Sequence, residues 1–135
     1  MEPETASKLK ILIVDDNDCI RDFLTILLSR KGYRCESAVN GREAMDKVAQ
    51  SQFDVVITDV HMPEMDGITL TRELTLRFPD LPVMIMTGQP EDSLMESAIR
   101  AGAREVLGKP FAIPDFTMRL QRMLHLQEPT QEQRV

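Results

Sequence analysis

The chain has 135 residues, 42 % hydrophobic and 28 % charged, which suits one globular domain that can bury its own core. Sixteen Lys and Arg against 22 Asp and Glu leave a formal charge of −6, and aromatics make up 4 % with no Trp. That balance argues against nucleic-acid binding through clustered cations or base-stacking platforms.

Cys19 and Cys35 match no metal-ligand spacing, so reduced thiols in a cytoplasmic protein are expected. Met1 to Lys10 carries Glu2 and Glu4 and no apolar core of a signal peptide. The longest apolar runs, such as Ile11–Val14 and Val83–Met86, are far short of a membrane span. The polar ends, 1–8 and 127–135, read as a flexible N-terminus and a polar tail around one domain at 9–126.

Leu9–Val14 predicts a first strand, with acids directly after it. Ile20, Phe23, Leu24 and Leu27 then fall on one helical face, and Lys31-Gly32 ends that helix. Asp18, just ahead of this face, suits a helix N-cap. Tyr33–Val39 predicts a weaker strand, with Cys35 on its buried side. Asn40-Gly41 predicts a turn, and Ala44, Met45, Val48 and Ala49 a second helix face. Phe53–Thr58 predicts a third strand, followed by a loop bracketed by Pro63 and Gly67. Ile68, Thr71, Leu74 and Phe78 mark a third helix, stopped by Pro79. Leu81–Met86 predicts a fourth strand, and Leu94, Met95, Ala98 and Ile99 the buried side of a fourth helix. Val106 and Leu107 form a very short fifth strand. Phe116, Leu120, Met123 and Leu124 mark a last helix starting near Pro114.

Five βα units with continuous apolar strands predict an α/β fold: an open parallel sheet covered by helices on both faces. In such sheets the site lies beyond the carboxyl ends of the strands. Asp15 and Asp16 follow the first strand, Asp59 the third, Thr87 the fourth and Lys109 the fifth. Each has an ordinary reading alone, as a cap, a turn former or a solvated side chain. Together they place three carboxylates, a hydroxyl and an ammonium on one rim. Carboxylates crowded there repel unless a cation joins them, and hard oxygen ligands suit Mg²⁺. A spare carboxylate can then act as a nucleophile toward a phosphoryl group.

The chain resembles response-regulator receiver domains, the CheY-like fold. The resemblance is carried by Ile11-Leu12-Ile13-Val14-Asp15-Asp16 and Asp54-Val55-Val56-Ile57-Thr58-Asp59-Val60-His61-Met62-Pro63-Glu64-Met65-Asp66-Gly67. Pro82-Val83-Met84-Ile85-Met86-Thr87-Gly88, Ala101-Gly102-Ala103 and Lys109-Pro110-Phe111 extend it over nearly the whole chain. It implies a five-stranded parallel sheet in the order 2-1-3-4-5, flavodoxin-like. It implies that Asp59 is the phosphoacceptor, that Asp15, Asp16, Asp59 and the His61 backbone carbonyl hold Mg²⁺, and that Thr87 and Lys109 contact the phosphoryl group. A cis peptide before Pro110 is implied as well.

The resemblance further implies a sensor histidine kinase or phosphotransfer protein as donor. An output protein would read the face of the fourth helix, fifth strand and fifth helix. The domain would be a monomer or a phosphorylation-dependent dimer, with Arg100, Arg104 and Glu105 available for pairing across that face. No nucleic-acid or membrane partner, and no turnover of a separate substrate, is expected. A stand-alone receiver is the expectation from the polar tail.

One departure stands out. Val106 occupies the place where the family carries a Tyr or Phe that changes rotamer with the Thr87-like hydroxyl. A switch through the fourth helix and the 88–91 loop is expected in its place. His61 and Gln89 stand where the family varies to tune dephosphorylation, and a solvent-facing His is the plain alternative for His61. The nine methionines read as core filler. A phosphatase of the haloacid-dehalogenase type fits less well, since Asn17 stands where its second Asp would be. An FMN binder fits less well too, since the Asp15–Asp18 loop would repel phosphate without a metal. A receiver-like domain that is never phosphorylated is the remaining rival.

Overall fold

A computed structural model describes residues 9–125. Five parallel strands form one sheet: β1 (Lys10–Val14), β2 (Arg34–Ala38), β3 (Val55–Asp59), β4 (Val83–Thr87) and β5 (Glu105–Gly108). Their spatial order is β2-β1-β3-β4-β5, as expected. Five helices alternate with them: α1 (Asp18–Arg30), α2 (Gly41–Gln50), α3 (Gly67–Arg77), α4 (Asp92–Ala101) and α5 (Ile113–His125). The expected ends at 1–8 and 127–135 lie outside the described residues. No helix among the described residues is long and apolar enough to cross a membrane.

The period-two geometry of a strand splits the apolar runs into two cores. Leu12, Val14, Val56, Ile85 and Val106 point to one face, where they meet Ala44 and Val48 of α2, Leu70 and Leu74 of α3, and Ala98 of α4. Ile11, Ile13, Val55, Ile57, Met84, Met86 and Leu107 point to the other, against Leu24 and Leu28 of α1 and Phe116, Leu120, Met123 and Leu124 of α5. Each fully buried side chain of this size contributes roughly 1.5–3 kcal/mol of transfer free energy.

Several local expectations are corrected. Asn17, not Asp18, caps α1: its side chain accepts from the Ile20 N–H, and Asp18 is the first helical residue. Asn40-Gly41 is no free-standing turn. Asn40 caps α2 by accepting from the Glu43 N–H at 2.8 Å, and the Glu43 carboxylate accepts from the Val39 N–H in return. This is a reciprocal cap that leaves two fewer backbone donors unpaired. Ala49 is exposed, and so is Ile99, because α4 turns only Ala98 and Ala101 fully inward. Gly102 ends α4 in the left-handed region at φ 116°, where an L side chain is strained and a Cβ would also strike Thr75. The methionines fill the core at 84, 86 and 123, but Met118 is exposed.

Candidate functional site

The carboxyl end of the sheet gathers the polar strand ends. The carboxylates of Asp15, Asp16 and Asp59 each offer an oxygen within 4.8 Å of the others. Asp15 is 1 % exposed and Asp59 is 8 % exposed, whereas Asp16 is open to solvent. Lys109 reaches in from the end of β5, its Nζ 3.0 Å from Asp59 Oδ1 and 3.8 Å from Asp15 Oδ2. Thr87 is fully buried at the end of β4, and its hydroxyl oxygen accepts from the Gln89 N–H at 3.0 Å. Its own proton remains to be donated. All five residues singled out by sequence are therefore on this rim. His61 is exposed two residues beyond Asp59. The Lys109–Pro110 peptide is cis.

The surrounding backbone holds these groups from several directions. Asp15 Oδ1 accepts from the Asn17 N–H at 2.9 Å, while Oδ2 is buried without a hydrogen-bond partner. Burial pushes the Asp15 carboxyl above the ordinary carboxylate range. The Asn17 N–H works against that rise, the negative Asp59 and Asp16 add to it, and the Lys109 cation opposes it. Asp59 is seated by Gly67, whose bare Cα lies against the Asp59 carbonyl; any Cβ there would collide with it. The Gly67 N–H also donates to the Val60 carbonyl at 2.8 Å. The loop between them turns at Glu64, at φ 74°, and Asp66 caps α3. Lys109 is tied to β4 through its own N–H, which donates to the Thr87 carbonyl at 2.7 Å.

A buried carboxylate oxygen with no donor, beside two further carboxylates, is the donor set a hard divalent cation takes. Mg²⁺ fits these residues on that ground. Two residues of the site escape a search for charged strand ends. Asn17 acts through a cap and through its backbone N–H. Arg21, on the first turn of α1, donates from Nη1 to the Asp15 carbonyl at 2.6 Å and pairs with Asp18. The Asp18/Arg21 spacing of i,i+3 was the only signal for it.

The family model of the response regulator receiver domain matches residues 11–121, and the chain belongs to that family. Among curated relatives it is 37 % identical to the response regulator MprA of Mycolicibacterium vanbaalenii over 90 % of this chain. That match covers 52 % of the relative, so the chain spans about half the length of the curated relatives it matches. Among solved structures it is similar to the chemotaxis protein CheY4 of Vibrio cholerae, at 33 % identity and a TM-score of 0.82, over 87 % of this chain and 99 % of that one. It is also similar to the response regulator TrrA of Thermotoga maritima in complex with Mg²⁺ and beryllofluoride. That match has 28 % identity and a TM-score of 0.79, over 86 % of this chain and 99 % of that one.

Proposed function

We propose that the domain accepts a phosphoryl group on Asp59 from a histidine kinase or phosphotransfer protein and that the adduct changes its binding to a partner. The observation that carries this is one carboxylate, Asp59, held against Lys109 beside two further carboxylates. Asp15, Asp16, Asp59 and the His61 carbonyl would hold Mg²⁺. Bound there, Mg²⁺ supplies positive charge to the phosphoryl oxygens and to the entering carboxylate.

An Asp59 oxygen forms the new P–O bond as the donor's P–N bond, or the P–O bond of an acyl phosphate, breaks. Lys109 pairs with the phosphoryl oxygens, and Thr87 donates its hydroxyl to one of them; the protein contributes position and charge. Water attack on phosphorus then releases phosphate and restores the carboxylate. His61 and Gln89 lie beside that path and set its rate. The domain turns over no substrate other than its own Asp59. Two free cysteines, Cys19 exposed and Cys35 half-buried, accord with a cytoplasmic site.

Partner binding is read on the face of α4, β5 and α5. Val106 is 7 % exposed and too short to swing between buried and open positions, so the signal travels through α4 and the 88–91 loop. Pro90 of that loop packs on Gly108 of β5, which gives it a direct path. Glu105 is engaged within the domain by Arg119 and Arg122, so it is not available for pairing across a dimer face. Amide exchange should change in residues 88–100 when beryllofluoride and Mg²⁺ are added; no change there would contradict this route.

The phosphoacceptor reading is tested by intact mass after incubation with acetyl phosphate. A single Mg²⁺-dependent phosphoryl adduct, lost in Asp59→Ala, is expected. A folded wild-type protein with no adduct would leave a binding module that signals without phosphorylation.

A further inference from the structure

We infer that Arg21 is a positioning residue for Mg²⁺: it holds the peptide between Asp15 and Asp16 so that both carboxylates face the cation. This rests on the phosphoacceptor reading above. Arg21 lies six residues beyond Asp15, and its side chain is only 14 % exposed. Nη1 donates to the Asp15 carbonyl at 2.6 Å, and Nη2 pairs with Asp18 Oδ1. That carbonyl belongs to the peptide linking the two aspartates. Fixing its plane fixes where the Cα atoms of both aspartates lie, and so limits the directions in which their side chains can leave.

Asp15 is thus held at two points. The Asn17 N–H grips the Asp15 carboxylate through Oδ1, and Arg21 grips its carbonyl. What remains is Oδ2, buried and without a hydrogen-bond partner, with the Lys109 ammonium 3.8 Å away. A helix-surface pair at i,i+3 would account for Arg21 meeting Asp18, but such a pair is worth only ~0.3–0.5 kcal/mol and needs no burial. It does not require the second arm of the guanidinium to leave its helix and reach the end of β1. A planar fork turns two separate nitrogens toward the two acceptors in a fixed geometry, whereas an ammonium must reach both from one atom.

The test is Mg²⁺ titration of the unphosphorylated protein by calorimetry, with the Asp16 and Asn17 amide resonances followed by NMR. Wild type, Arg21→Ala, Arg21→Lys and Asp18→Asn are compared, with unfolding midpoints recorded for each. Loss of an outer-shell partner typically costs 10–100-fold in metal affinity, and Arg21→Ala should weaken Mg²⁺ binding by about tenfold. Arg21→Lys should recover part of that, and Asp18→Asn should weaken binding less. Wild-type affinity in both Arg21 variants would overturn the proposal, because a purely structural arginine would lower the midpoint and leave the affinity alone. If Arg21→Ala does not fold, Arg21→Lys and Asp18→Asn carry the comparison, and unchanged affinity in both overturns it. A wild-type protein that binds no Mg²⁺ would overturn the phosphoacceptor reading itself, a separate result.

Discussion

The two ends of the sheet carry similar residues and treat them in opposite ways. At the amino end, Lys10 Nζ donates to Ser51 Oγ at 2.6 Å, sits 3.1 Å from Glu36 Oε2 and lies 4.7 Å over the Phe53 ring. Its backbone N–H donates to Asp54 Oδ2 at 2.8 Å. The charges there meet partners, and the result ties β1 to the end of α2. At the carboxyl end, three carboxylates cluster, two of them share the Lys109 ammonium, and a buried oxygen of Asp15 has no hydrogen-bond donor. The first arrangement stabilises the fold. The second leaves an electrostatic tension that a cation and a phosphoryl group would relieve, so the position of the tension marks the site.

This contrast can be broken by exchanging the effects expected at each end. The largest effect belongs to Lys109. Lys109→Ala should slow phosphorylation by acetyl phosphate on the order of 10²-fold, the scale of losing one preorganised charge at the reacting group, as timed by intact mass. Lys10→Met comes next. It should lower stability by roughly 1–2 kcal/mol in urea unfolding, since it removes a charged donor from Ser51 and Glu36. Its phosphorylation rate and Mg²⁺ affinity should match wild type; a loss of either would erase the distinction between the two ends.

A smaller effect comes from protons. Asp15 holds its proton to a higher pH than an ordinary carboxylate, and that proton must leave before a cation binds. Mg²⁺ affinity should therefore be flat above the raised value and fall as pH drops through it, by up to about tenfold per pH unit. Calorimetry in buffers of different ionisation enthalpy should show proton release in that window and none well above it.

Much of the site was legible because parallel strands covered on both faces are continuous apolar runs, so their polar ends stand out. Asp15, Asp16, Asp59, Thr87 and Lys109 were all placed that way. Local capping was less legible. Asn17 and Asp18 are both good caps, and only the backbone at Asn17, extended at φ −93° and ψ 116°, decides between them. Ile99 continues an apolar helical stripe but is exposed, because α4 packs through Leu94, Met95, Ala98 and Ala101 and turns Ile99 outward. Arg21 was missed for a physical reason: its partner is a main-chain carbonyl, and any residue supplies one. Gly67 was seen as a loop boundary, yet its place against the Asp59 carbonyl appears only once the chain is folded.

Asp15 is kept in the fold at a cost to stability, because burial disfavours its carboxylate. With its folded pKa raised, the native state holds the Asp15 proton more tightly than the unfolded chain does. That contribution is greatest below the unfolded value and falls as pH rises to the folded one, leaving a penalty at pH 7. Asn in its place keeps an oxygen for the Asn17 N–H and carries no charge. The direct measurement is urea unfolding of wild type and Asp15→Asn at pH 7, each in chelator and in Mg²⁺. Asp15→Asn should be the more stable of the two in chelator and gain almost nothing from Mg²⁺, whereas wild type should gain. An Asp15→Asn protein that is less stable than wild type in chelator would contradict the account.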